Sequence, residues 1–288
     1  MSWFLLSLLA AVSLATADAL TKKYFSNLTP YEMGLIRLGY ALPWLVVSLF
    51  FITRPTVDRT YFLCLIVGLP LECIAFYCYM KAIKVSPLSL SLPFLAFTPI
   101  FVILTGWILL DETISPMGGV GIVLIVIGSY CLNLGHIREG IMAPFMAIFK
   151  EPGSRLMLFV SLIYSITATL GKLGIIHSDP YFFGVSYFIL FTLLMYSFFP
   201  VTRESRPSNL LQKPLAGMAL GAVMSCMIIS HMLAISKIQA AYMLSLKRTS
   251  LLFGVLYGAW LFKEERIGER FGGAVIMITG VFFIGWFS

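Results

Sequence analysis

TGWILLDET at Thr105–Thr113 and YGAWLFKEE at Tyr257–Glu265 stand 152 residues apart, and each closes a long apolar run with a glycine, a tryptophan and then a glutamate. The correspondence extends outward at the same offset. Met80/Met232, Ala82/Ala234 and Ile83/Ile235 agree before it, and Gly121/Gly273 and Gly128/Gly280 agree after it. Leu92/Leu244 and Phe101/Phe253 agree too, but apolar sequence matches itself cheaply, so Glu112/Glu264 and the glycines carry more weight. At an offset of 150, Lys22, Pro30, Tyr31 and Gly34 meet Lys172, Pro180, Tyr181 and Gly184. The chain therefore reads as two copies of one unit.

The composition fixes the solvent in which those copies fold. Hydrophobic residues make up 59% of the 288 and charged residues 11%, where a water-soluble domain carries about a quarter charged. Mean hydropathy is +0.94. The apolar residues run unbroken over lengths that cross about 30 Å of hydrocarbon as helices. Spans are expected at 3–21, 32–53, 62–83, 87–110 and 117–135, then 156–176, 181–201, 214–236, 238–262 and 269–287. The first run ends in small residues, but Met1-Ser2-Trp3 has no basic start, so it reads as a span and not as a cleaved leader. The expected fold is an all-α polytopic membrane protein with ten transmembrane helices in two five-helix repeats, at 1–136 and 156–288. Between them lies a basic linker, 137–155, whose stretch IMAPFMAIF is too short to span and suits the interface. Five spans per copy turn the second copy over, which gives an inverted pair around a midplane cavity.

The net charge of +7 does not point to nucleic acid, because Lys and Arg cluster at segment ends, where topology signals belong. Most of them fall in the odd-numbered connections, against Arg54, Arg59, Lys172 and Lys237 on the other face. By the positive-inside rule that count places both termini outside. Cys64, Cys73, Cys78, Cys131 and Cys226 lie inside apolar runs and read as packing residues. No cofactor or metal motif is apparent, and without a Walker A sequence this chain supplies no ATP-driven step.

Charges inside the spans are the informative residues, since a Lys, Arg or Asp at mid-membrane costs about 2.5–3.5 kcal/mol on insertion scales. Lys247 and Arg248 sit in AYMLSLKRTSLLFGVLYGAW, far from either end, and their first-copy counterparts are Leu95 and Ala96. With the hydroxyls of Ser245, Thr249 and Ser250 they suit an anion such as carboxylate or phosphate. Alternatively they only pair with intramembrane carboxylates. Glu72, near the middle of the third span, is the carboxylate for that pairing or else the carrier of a coupling proton. His231 could gate or bind, though a lone helix histidine is more often hydrogen-bonded packing. Arg37 could bind or snorkel, and Asp18 could pair with Lys22 one turn on. Pro87, Pro93 and Pro99 predict a kinked fourth span.

The paired motifs also resemble those of EamA-type members of the drug/metabolite transporter superfamily. Each copy shows an Ala-containing exit from its third span (MKAIKVSPLSL; MLAISKIQAAY), an acidic end to its fourth and a Gly-spaced fifth (GGVGIVLIVIG; FGGAVIMITG). The second copy departs in having Ser250-Leu251 where the first has Thr98-Pro99. The resemblance implies ten helices, secondary transport of a small metabolite across a bacterial plasma membrane, and termini inside, against the charge count. The Lys-Arg pair of the ninth span is similar to a phosphate-binding element of plastid phosphate translocators. The other class left open is an intramembrane enzyme acting on a lipid or phosphorylated headgroup, for which the same cations could hold phosphate.

Overall fold

The computed structural model describes residues 2–86, 92–131, 152–198, 207–262 and 271–287. Most of the linker and Glu264, as well as several basic residues of the charge count, lie outside the described residues, as does Pro87. Within them the chain is helical and contains no strand: α1 (Trp3–Phe25), α2 (Pro30–Leu49), α3 (Arg59–Val85), α4 (Thr98–Leu110), α5 (Pro116–Cys131), α6 (Pro152–Ile176), α7 (Pro180–Ser197), α8 (Pro214–Ile235), α9 (Ala240–Lys247), α10 (Ser250–Phe262) and α11 (Phe271–Phe287). A 3₁₀ turn, Leu92–Phe97, leads into α4. Six of these helices, α1, α2, α3, α6, α7 and α8, are long and apolar enough to cross a membrane; α5 and α11 and the run Phe94–Leu110 are shorter apolar helices.

The helix starts follow from local chemistry. Thr29 and Glu32 form a capping box at α2, with Pro30 in the first turn where no N–H is missed. Asp179 does the corresponding work at α7, accepting from the Tyr181 and Phe182 N–H groups at 2.9 and 3.0 Å ahead of Pro180. Asp58 caps α3 by accepting from the Tyr61 N–H at 3.1 Å, and chiefly that bond holds its carboxyl below the usual range. The lowered value means that this cap's contribution is complete above the ordinary carboxylate range and is lost as pH falls below that range through the lowered value. Its second oxygen lies 2.6 Å from His177 Nδ1, tying the α2–α3 connection to the end of α6.

Packing crosses between the two halves throughout. α1 lies along α8, α3 along α6, and α2 against α7, while α4 packs on α6 and α10 on α1. α5 and α11 meet in a seam of glycines. A Cβ on Gly121 would stand 2.9 Å from the Gly280 carbonyl oxygen, one on Gly280 would stand 2.7 Å from the Gly121 oxygen, and one on Gly128 would stand 2.8 Å from the Gly273 oxygen. Small residues thus let two backbones touch, the contact on which helices rely where lipid offers no hydrophobic drive to associate.

The fourth segment of each half is broken at one place. The 3₁₀ turn gives way to α4 at Phe97/Thr98, and α9 gives way to α10 through Arg248 and Thr249. α4 and α10 start and end at the 152-residue offset. In the first half Pro99 has no N–H to offer, and Thr98 Oγ1 donates to the Leu95 carbonyl at 2.7 Å instead. In the second half no proline is present. There the turn tightens through Thr249 N–H to the Leu246 carbonyl at 3.0 Å and Leu251 N–H to the Arg248 carbonyl at 3.0 Å, with Thr249 Oγ1 also on Leu246 at 2.8 Å. The expected unbroken ninth span is therefore two helices.

Candidate functional site

That break places the two adjacent cations. Lys247 is in the last turn of α9 and Arg248 is its C-cap, where unpaired carbonyls give a partial negative charge that favours cations. Both side chains line a cavity of ≈ 140 Å³ whose walls also include Arg37 from α2, Glu72 from α3, His231 from α8, and Tyr164, Thr167 and Lys172 from α6. Five of the charged or titratable residues singled out in the sequence, Arg37, Glu72, His231, Lys247 and Arg248, thus share one cavity. Ser245 and Thr249 do not line it. Their hydroxyls donate to the Ala241 and Leu246 carbonyls of their own segment at 2.8 Å each.

The charges differ in how they are held. Arg37, 2% exposed, is not at the interface: its Nη1 donates to Asp18 Oδ1 at 2.6 Å, its Nη2 lies 3.4 Å from the Met224 sulfur, and its Nε has no partner. Asp18 is thus the carboxylate for a distant arginine, and the Tyr79 hydroxyl stands 3.4 Å from its other oxygen. Lys247 Nζ lies 3.3 Å from His231 Nδ1. With Lys247 as an ammonium, which only donates, the ring accepts at Nδ1 and its proton sits on Nε2. Glu72 lines the same cavity as Thr167 and Lys247. Among the described residues no carboxylate forms an ion pair with Lys247 or Arg248, and the buried Arg248 Nε has no hydrogen-bond partner.

Lys172, assigned to a connection in the charge count, is buried within α6 and forms an ion pair with Glu112. It also donates to the Ile238 carbonyl, while Glu112 Oε2 accepts from the Ala240 N–H at 2.9 Å and so caps α9. The repeated glutamate therefore serves the helix that carries Lys247 and Arg248. Glu112→Gln keeps an acceptor for Ala240 but loses the ion pair; Glu112→Leu loses both. The melting temperatures in detergent are expected to fall in the order wild type, Glu112→Gln, Glu112→Leu, the last step being about 1–2 kcal/mol.

Much of the remaining lining is apolar. α7 contributes Phe183, Tyr187, Phe188 and Phe191 at spacings of four, one and three residues, Phe76 comes from α3, and Met224, Met227 and Met232 come from α8. The Tyr187 hydroxyl is buried there without a partner. Sequence reading did not single out this aromatic wall, nor the polar stripe Tyr164, Thr167, Gly171, Lys172 of α6. Helical spacing was the available signal for both.

Known proteins resemble this chain at two levels. Residues 1–134 match the EamA-like transporter family. An "Uncharacterized transporter" of Methanothermobacter thermautotrophicus is 26% identical over 65% of this chain and 53% of its own length, so the match spans about half of that relative. A solved crystal structure of a protein only 12% identical has the same fold, with a TM-score of 0.76 over 98% of this chain and 99% of the other.

Proposed function

We propose, from the premise that this is an EamA/DMT-type protein, that it is a secondary transporter that moves a small anionic metabolite across the membrane by alternating access. The observation that carries this reading is the Lys247–Arg248 pair, lining a cavity with no carboxylate in ion-pair contact among the described residues. A cation pair held this way is short of an anion, and intramembrane charge without a structural partner is by default functional.

The architecture proposed for this work is ten spans in two inverted five-helix repeats, residues 1–136 and 156–288. Three observations support it. α4 and α10 share both ends at the 152-residue offset. The cross-pairing of α1 with α8 repeats in α3 with α6. In the glycine seam, Gly121 meets Gly280 and Gly128 meets Gly273, whereas the sequence mates are Gly121/Gly273 and Gly128/Gly280; a two-fold axis exchanges partners in this way. Rocking one half on the other would open the cavity to each side in turn. A bacterial plasma membrane is the proposed setting. Glu72, in the cavity and beside the field of Lys247, is the group through which a coupling proton would act.

The test is flux from liposomes containing the purified protein and preloaded with a mixture of carboxylated and phosphorylated metabolites, identified by mass as they emerge. Solute is expected outside, chemically unchanged, and Lys247→Ala and Arg248→Ala are each expected to slow its exit roughly 30-fold, the scale of losing one charge from a buried recognition site. Unchanged flux in both variants would sink the anion site. Conversion of the solute would favour an enzyme.

A further inference from the structure

Resting on the cavity as the solute site, we infer that the solute is a monoanionic organic acid with an aromatic or branched apolar body, and that Glu72 sets its charge. The first ground is a charge balance. Arg37 is matched by Asp18 and Lys172 by Glu112. His231 accepts from Lys247 and is uncharged in that arrangement. Among the described residues, and with Glu72 ionised, Lys247 and Arg248 then face that single carboxylate in the cavity lining, which leaves a surplus of one positive charge. In a surrounding of low polarisability a net charge is costly, so a guest of charge −1 neutralises the site and a dianion overshoots it.

The second ground is the shape of the lining. A compact inorganic anion needs donors on all sides, but much of the lining is aromatic and thioether, from Phe76, Phe183, Phe188, Phe191 and the methionines of α8, with the Tyr187 hydroxyl among them. Such a lining would strip water from a bare phosphate and return little. It would instead bury the ring or branched chain of an organic acid whose carboxylate reaches Lys247 and Arg248.

The experiment measures binding to the full chain purified in detergent by calorimetry, using phenylacetate, acetate, inorganic phosphate and phenylsuccinate as probes. Phenylacetate is expected to bind roughly tenfold or more tightly than acetate or phosphate, from burial of its ring, and more tightly than the dianion phenylsuccinate. Glu72→Gln raises the surplus to two charges and is expected to shift the phenylsuccinate-to-phenylacetate affinity ratio about tenfold toward the dianion. Phosphate or acetate binding as tightly as phenylacetate overturns the apolar body. An unchanged ratio in Glu72→Gln, or a wild-type preference for the dianion, overturns the charge balance. In either case an anion site at Lys247 and Arg248 still stands. Failure of all four anions to bind the wild-type protein overturns that site, and this inference with it.

Discussion

Asp18→Leu is expected to cost about 3–5 kcal/mol of stability, because it leaves an arginine charged in the interior with no carboxylate in contact. Arg37 is 2% exposed and keeps its proton under all working conditions; apart from Asp18 at 2.6 Å, its contact is a thioether at 3.4 Å. The complementary variant Arg37→Met is expected to cost less, about 2 kcal/mol, since the remaining carboxylate is only partly buried and has the Tyr79 hydroxyl 3.4 Å away. The double variant should recover most of the loss in Asp18→Leu, as replacing both members of a buried pair by apolar groups is often near neutral. Denaturation of the purified protein in mild detergent measures all three. A wild-type midpoint for Asp18→Leu would mean that Arg37 finds another anion, and the charge balance of the cavity would then have to be redrawn.

Gly221→Ala is expected to be the next most damaging change, at about 3 kcal/mol, and here the reason is room. A Cβ on Gly221 would fall 1.9 Å from the Tyr40 carbonyl oxygen and 2.3 Å from its carbon. Both are backbone atoms of α2, so no side chain can swing aside. The two helices must separate, and the Ser225 Oγ bond to the Ala41 carbonyl at 3.3 Å would go with them. Gly254→Ala is the control. Nothing lies within 4 Å of the atom it adds, and alanine's better helix propensity should leave stability unchanged or raise it by up to about 1 kcal/mol. Equal melting of the two variants would show that the α2–α8 crossing yields more easily than its backbone contact implies.

Much of this architecture was legible in the sequence because the bilayer writes strong signals. Unbroken apolar runs give spans, and a cation inside one is conspicuous, which is how Arg37, Lys247 and Arg248 came to notice with Glu72 and His231. Their meeting in one cavity was not legible, since it depends on which helices cross. The reading of Asp18 shows the limit: a sequence offers only local partners such as Lys22, whereas the fold brings Arg37 from the next helix. Lys172 reads as part of a connection because it stands near the end of its span, yet Glu112 and the Ile238 carbonyl hold it inside. The break at Arg248 and Thr249 had no proline to announce it. The Gly217, Gly221, Ser225 stripe of α8 was written at four-residue spacing but needed Tyr40 opposite to acquire meaning.

The glycine seam bears on how such a protein can change. α5 and α11, which form it, contribute no residue to the cavity. The seam is thus a contact between the halves that is separate from the cavity lining, unlike the α3–α6 and α1–α8 contacts, so substitutions at Glu72, Tyr187 or Met227 leave its glycines untouched. Under the proposed function, a lineage built on this plan could change its solute while inheriting this one joint unaltered.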